Sequence, residues 1–468
     1  MGSGKKTTAV TSRAALVPVA PPAIPAEFAQ HVPRQHYSAG VVGLFLRGVL
    51  EAAVSQRGVA AMLVLFAPYL PVPEATPVAN TGRMWLLRLG LYELTRPKQR
   101  AEDWVWIMDH TIQLGPWKCL IIVAIRLSAW EPNRGPLKHE DLALVNLTPM
   151  DHATGDEVHR RLRATVSQTG APRAVVSDGG TELKRGMELF GKDQPGVAHV
   201  QDIKHKGATL LKHRLEADPR WANFVTQSKQ TKLRVTQTSL AYLNPPALKT
   251  KARYMNLDTL VRWGQGALAF LDAPHPVSEE PLNRKVLKEK LGWLRQYRRA
   301  LDEWSQWLTL VEAAEAYVRH EGLHVKAGEE LRGRLAPLAT RPSGRKLCED
   351  LLEFVGQQSA HARPHERLIG SSEVLESLIG KYKRMQSTHS QGGMTPMVLS
   401  VGAAVAQKTA AFIRAALAGT RTNDVLEWCR RHFGTTLQAQ RRLAFEGNKH
   451  GIQNNHGPPQ VLSTSGTA

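Results

Sequence analysis

Asp109 stands inside an apolar run, W-V-W-I-M-D-H-T-I, from Trp104 to Ile112. An ionised carboxylate in such a strand is costly unless something compensates its charge. The compensation is either a nearby Arg, Lys or His, or a metal ion. On this strand alone, structural pairing and a catalytic role weigh equally. A second acid, Asp178, ends A-V-V-S-D and is followed by Gly179-Gly180. Asp before Gly also closes turns without doing chemistry. Two strand-borne carboxylates, joined by a third from a helix, are what metal-assisted phosphodiester chemistry needs. Hard oxygen ligands hold a pair of Mg²⁺ ions about 3.5–4 Å apart, with open positions for water.

The elements that must position these acids follow from hydrophobic period. Trp104 to Leu127 reads as two buried strands joined at Gly115-Pro116, the second carried by the continuous apolar run Cys119–Ile125. Leu142–Leu147 offers a third strand. Thr154 and Glu157 form a capping-box start to a helix that Gly170 stops. Ala174–Asp178 is a fourth strand, Leu183–Phe190 a short helix, and Ala198–Asp202 a fifth strand running into a helix from Ile203 to about Glu216. The order β-β-β-α-β-α-β-α predicts an α/β fold, a mixed sheet with helices on both faces. If strands one and four are neighbours, Asp109 and Asp178 converge at the strand ends, where ligands of open α/β sheets sit.

The flanks read as helical. Val42, Leu46, Val49, Leu50 and Ala53 share one face of a helix that begins at Ala39. A second helix fits Gly58–Tyr69, with Ala61, Leu65 and Phe66 inward. A third runs from Pro77 or Val78 to Leu89, with Thr76 as N-cap and Gly90 as C-cap. Asn80, Thr81, Arg83 and Arg88 lie on its polar side, the pattern of a helix-turn-helix with a DNA-reading last helix; a plain three-helix unit is the alternative. Arg96-Pro97-Lys98-Gln99-Arg100 is a basic linker suited to phosphates. Helices are also expected over Asn256–Leu271, Leu287–Leu323, Arg345–Ala360, Ser371–Arg384, Pro396–Ala418 and Asn423–Arg431, with no strand signal from about Asn223 to Gly370. Both termini are expected to be disordered.

The 468 residues suffice for two to four domains, and 42% apolar content allows a sizeable core. A net charge of +20 implies a polyanionic partner, nucleic acid in preference to membrane, since no run approaches the roughly 18 apolar residues of a spanning helix. Cys119, Cys348 and Cys429 have neither zinc-ligand spacing nor a disulfide framework, which suits a reducing compartment. His361 and His365 have ligand-like spacing, but Pro364 interrupts it.

In this order the elements resemble the ribonuclease-H-like core of DDE transposases and retroviral-type integrases. V-V-S-D178-G-G-T-E-L followed by Q-D202-I-K-H205 resembles Mutator-like and related bacterial insertion-sequence transposases, and V-L-E376-S-L-I-G-K-Y-K383-R resembles their third motif. The resemblance covers about Arg34 to Arg384. It implies Asp109, Asp178 and Glu376 as catalytic metal ligands, two Mg²⁺ (or Mn²⁺) ions, and an all-helical insertion in the 198 residues separating Asp178 from Glu376 (376 − 178). Glu373, one turn earlier, remains an alternative third acid. Asp202 and His205 are read as a structural hydrogen-bonded pair anchoring the insertion. Lys383, seven residues after Glu376 (383 − 376), shares its face, and with Lys381 could meet DNA phosphates. Lys204, Lys206, Lys212, His213 and Arg214 are a solvated helix face or a DNA track. The Tyr and Arg that precede the Glu in some of these helices are absent, Ile369 and Ser372 standing there; Arg367 could substitute.

The implied organisation is a disordered tail over 1–33, a helix-turn-helix region over 34–100, a first core part over 101–218, an all-helical insertion over 219–370, core completion over 371–446 and a disordered tail over 447–468. The implied function is a DNA transposase that hydrolyses phosphodiesters at element ends and transfers the 3′-OH into target DNA. Double-stranded DNA is the expected partner, a homodimer on paired ends the expected assembly, and the cytoplasm (bacterial nucleoid) the expected location. A catalytically inactive, domesticated DNA-binding regulator and a structure-specific nuclease on the same core are the alternatives.

Overall fold

The computed structural model describes residues 26–28, 30–33, 35–69, 76–112, 117–132, 135–247, 257–273, 284–387, 394–434 and 440–445. The expected Gly115-Pro116 turn and the tails over 1–25 and 447–468 lie outside the described residues.

Five strands form one sheet: β1 (Trp104–Ile112), β2 (Lys118–Arg126), β3 (Ala143–Met150), β4 (Ala174–Ser177) and β5 (Ala198–Gln201), in the order β3-β2-β1-β4-β5. The first three are an antiparallel meander, and β4 and β5 run parallel to β1. This mixed sheet is consistent with a ribonuclease-H-like core. Alternation along β1 explains why both faces must be covered. Trp106 and Met108 pack with Leu120, Ile122, Val158, Leu162, Met187 and Phe190, so that face is sealed by the helices Gly155–Thr169 and Thr181–Asp193. Val105 and Ile107 belong to the opposite core, which continues without a break through the N-terminal helices, the helical region after β5 and the C-terminal helices. Asp109 has the parity of Val105 and Ile107 and so faces that second side.

The start of the Gly155–Thr169 helix follows from its cap: Thr154 accepts a hydrogen bond from the Glu157 N–H. Other expectations are corrected. Residues 26–33 are not a featureless tail: Ala26–Phe28 form a 3₁₀ turn, Val32 is buried, and the Phe28 ring lies where a Cβ on Gly40 would stand. Two apolar residues in a Pro-rich context carry no period, which hides this anchor. The second helix is Gln56–Phe66, and it buries Val59 and Leu63; Ala61, Leu65 and Phe66 point to solvent. That helix is apolar on more than one side, so its period does not fix its phase. The third helix is Ala79–Thr95, preceded by Val78 with no side-chain cap. Gly90 sits inside this helix: a Cβ there would meet the Leu399 carbonyl oxygen at 1.8 Å, and one on Gly402 the Gly90 oxygen at 2.5 Å. Glycine serves there for close backbone approach.

The third helix is therefore a central packing element, with Trp85, Leu86, Leu87, Leu89 and Leu91 all buried. Arg88 is not on a DNA-facing surface. It is buried, donating Nε to the Thr420 carbonyl at 2.6 Å and a second guanidinium bond to the Leu417 carbonyl. A guanidinium buried against the last carbonyls of a neighbouring helix is out of reach of DNA.

After β5 come the helices Ile203–Ala217, Pro219–Val235, Leu257–Asp272, Arg284–Leu291, Arg298–Glu321, Ala327–Leu335 and Pro342–Ser359. The expected single helix over Leu287–Leu323 is interrupted by the 3₁₀ segment Gly292–Tyr297. Trp293 and Tyr297 there meet Phe224 at ring-centroid distances of 5.6 and 5.2 Å, and Trp304, one helix further on, meets it at 5.3 Å. The tighter winding turns these rings onto Phe224. The chain returns to the sheet through the helix Glu373–Ser387, followed by Ser400–Val405, Ala410–Gly419 and Thr422–Phe433. The expected helix over Pro396–Ala418 is broken between Val405 and Ala410, where Ala406 turns extended and Thr409 caps the next helix.

Candidate metal centre

The register pairs Met108 with Ser177 on parallel neighbours β1 and β4. Asp109 and Asp178, one residue beyond that pair on each strand, are therefore side by side. Asp178 does close the turn: its Oδ1 accepts the Gly180 N–H at 2.9 Å. Its Oδ2 is left facing inward, 3.7 Å from His205 Nε2. Asp109 accepts the His110 N–H at 2.6 Å on Oδ1. Burial and the charge of Asp178 push its carboxyl up to about 7, with Glu376 adding to the same effect. Among the described residues His205 is the cation that acts on it, and too weakly to offset these effects.

The third side of the cluster comes from two helix starts held together by Asp202. This carboxylate is 1% exposed and caps the helix Ile203–Ala217 by accepting from the Lys204 and His205 N–H groups. It also accepts the Ser372 N–H at 3.0 Å, just before Glu373–Ser387, while the Ile203 N–H bonds the Gly370 carbonyl. The bond to the His205 ring and these N–H groups hold Asp202 below the usual carboxylate range against the effect of burial. Its bond to Nδ1 at 3.1 Å and the surrounding acids raise His205 to about 9. His205 is thereby charged at neutral pH and lies between Asp178 and Glu376, 3.7 Å from each.

Glu376 and Glu373, one turn apart, part company here. Glu373 pairs with Arg319 at 2.8 Å and lines a cleft of ≈ 370 Å³ with Lys138, His139 and Trp130. Glu376 turns toward His205 and Lys204. Its Oε2 accepts from Lys204 Nζ at 2.6 Å, and its Oε1 is buried with no hydrogen-bond partner. An orphaned carboxylate oxygen beside a carboxyl titrating near neutrality is the donor chemistry a hard divalent cation satisfies. Asp178 and Glu376 both act on the charge of Asp109, so the three carboxylates are neighbours. A tighter geometric triad, Asp202, His205 and Glu376, has ligand atoms all within 4.8 Å of one another. Asp202, however, is saturated by main-chain donors and by His205 Nδ1, so it orients the histidine and has little left to give a metal.

The expected DNA-facing residues are dispersed. Asn80 is exposed and Thr81 and Arg83 half-buried at the start of their helix, whereas Arg88 is sealed as described. Lys204 is spent on Glu376. Lys206 lies over the Phe354 ring at 5.5 Å. Lys383 is exposed, and Lys381 is half-buried, its pKa lowered by desolvation. Around the acids, sequence reasoning missed Lys118, which pairs with Glu182 at 2.6 Å, and Glu315, a half-buried carboxyl that desolvation pushes up to about 8. Both acids lie on helices whose partners are set by tertiary packing, and no local motif marks them.

The fold and site define an α/β protein with four carboxylates, Asp109, Asp178, Asp202 and Glu376, gathered with one charged histidine at the strand ends. No protein-family model matches the chain, and no curated protein matches it. Among solved structures it is similar to the Drosophila P element transposase strand transfer complex, at 10% identity over 80% of this chain and 92% of that one, with a TM-score of 0.41. Among the described residues no helix is long and apolar enough to cross a membrane.

Proposed function

We propose that this protein is a DDE-type DNA transposase, related to the Mutator-like and bacterial insertion-sequence enzymes. The observation that carries the reading is the convergence of Asp109, Asp178 and Glu376 from two parallel strands and a helix, with Asp109 pushed near neutrality by burial and the neighbouring acids and Glu376 Oε1 without a hydrogen bond. The three carboxylates hold divalent cations, two in the full site. Bound there, such ions supply Lewis acidity to a phosphodiester and a lowered pKa to an attacking water. The residues orient the reacting groups in line. Water attacks the phosphodiester at an element end and the 3′-oxygen leaves as a 3′-OH; that 3′-OH then attacks a target phosphodiester and displaces its 3′-oxygen. The carboxylates are ligands, not nucleophiles, so no covalent enzyme–DNA intermediate forms. The basic surface, with Asn80, Thr81, Arg83, Lys206, Lys381 and Lys383 as contacts, binds double-stranded DNA, and paired ends call for a dimer. The helices of residues 219–370 form an insertion in the core, and the N-terminal helices carry end recognition.

The test is Mn²⁺- or Mg²⁺-dependent nicking of supercoiled plasmid by the full chain. Asp109→Asn, Asp178→Asn and Glu376→Gln should each lower it by about a hundredfold or more, while duplex binding, read by fluorescence anisotropy, stays within about twofold. Full nicking by D178N sinks the reading. DNA binding by the wild type with no nicking under either metal would point to a regulator.

A further inference from the structure

Lys204 sits in the first turn of its helix, where a cation is opposed by the helix dipole. It is held there by acids: Glu376 Oε2 at 2.6 Å, with Glu373 and Glu315 also close enough to act on it. The contact is built into the fold. Asp202 ties the Ser372 N–H to the start of the Lys204 helix, so the first turns of both helices lie together and Lys204 reaches Glu376 across 172 residues of chain. Both side chains are about three-quarters buried, at 25% and 21% exposure. Glu376 is left half-satisfied, one oxygen on the ammonium and the other without a hydrogen bond, 3.7 Å from His205 Nδ1.

We propose that Lys204 is the internal counter-ion of Glu376, a positioning residue that holds this carboxylate in the metal-free protein and competes with a divalent cation for it. The proposal rests on the metal-binding reading above. A cation entering against Glu376 Oε1 meets His205 3.7 Å from that oxygen and, held by a hydrogen bond on the other oxygen of the same carboxylate, the Lys204 ammonium. Lys204 must loosen its grip as the ion binds, and its ammonium is then free to turn to a DNA phosphate. Oε1, which takes no hydrogen bond, is the open seat, and Lys204 sets how readily it fills.

The experiment is Mn²⁺ titration of the full chain without DNA, followed by electron paramagnetic resonance, with melting temperatures taken alongside. Lys204→Met should bind Mn²⁺ about tenfold more tightly than wild type, because the competing charge is gone. Lys204→Arg, which keeps the charge, should stay within about twofold of wild type. Without metal, K204M should melt below wild type, and saturating Mn²⁺ should close that gap. If K204M lacks a cooperative melt, Lys204→Gln removes the charge while keeping a donor for Oε2, and the same tightening is expected. Unchanged or weaker Mn²⁺ binding in the folded neutral variant overturns the proposal. A wild type whose Mn²⁺ binding is absent, or indifferent to Asp178→Asn, overturns the metal reading itself; metal binding that D178N abolishes and K204M leaves unchanged overturns only the role of Lys204.

Discussion

Asp109 titrates near neutrality because burial and Asp178 both oppose its charge, and His205, whose charge acts the other way, is committed first to Asp202. The consequence for stability has a definite sign. The folded pKa, about 7, lies above the ordinary 3.8, so the stability Asp109 contributes is complete below about pH 4 and lost as pH rises toward 7. In EDTA, the melting temperature of wild type relative to Asp109→Asn should fall across that interval. His205 acts in the same direction in a later window, its contribution being lost between about 6.5 and about 9, and His205→Gln should remove that later fall. A flat wild-type-minus-D109N difference from pH 4 to 7 would contradict the site's electrostatics. The strand acids were legible in the sequence because a carboxylate in an apolar run is conspicuous. Which of Glu373 and Glu376 faces them was not, since one helical turn separates the two and the choice is made by Arg319 and Lys204, from distant elements.

At the scale of elements, the succession of strands and helices followed from period and connection, whereas the neighbourhood of β1 and β4 was left as a condition and helix phase was not fixed. The sheet strands are buried on both faces, so long apolar runs and the alternation of strand with helix sufficed. Gln56–Phe66 is apolar around most of its circumference, and Gly90 looks like a helix stop until the Leu399 carbonyl is seen against it. This close crossing yields a prediction. Gly90→Ala places a methyl within 1.8 Å of a main-chain oxygen that cannot rotate away. The variant should lose several kcal/mol, about 2–4, in urea unfolding, whereas Gly191→Ala, with nothing within 4 Å of the added carbon, should not lose stability. Equal stability of wild type and G90A would mean that this crossing is looser than described.

Over the whole molecule, the charge of +20 is the feature composition exposes most directly, and folding distributes it without concentrating it on one helix. Arg88 and Lys204 are drawn inward to carbonyls and to Glu376, so a count of cations on a helical wheel overstates what can meet DNA. Duplex affinity should fall linearly with the logarithm of salt concentration, with a slope of roughly −4 or steeper and little dependence on sequence away from element ends. A slope near zero would remove the electrostatic basis of the proposed partner. The clamp between Asp202 and Ser372 has one more consequence, in time. Asp178 leaves the ribosome long before Glu376, and at roughly 5–20 residues per second the interval is on the order of 10–40 s. Throughout it the nascent chain holds two acids on a sheet without the third. The cluster closes only when the helical region has folded and brought its own end back beside its beginning, so a truncated or stalled chain carries basic charge but an incomplete carboxylate cluster.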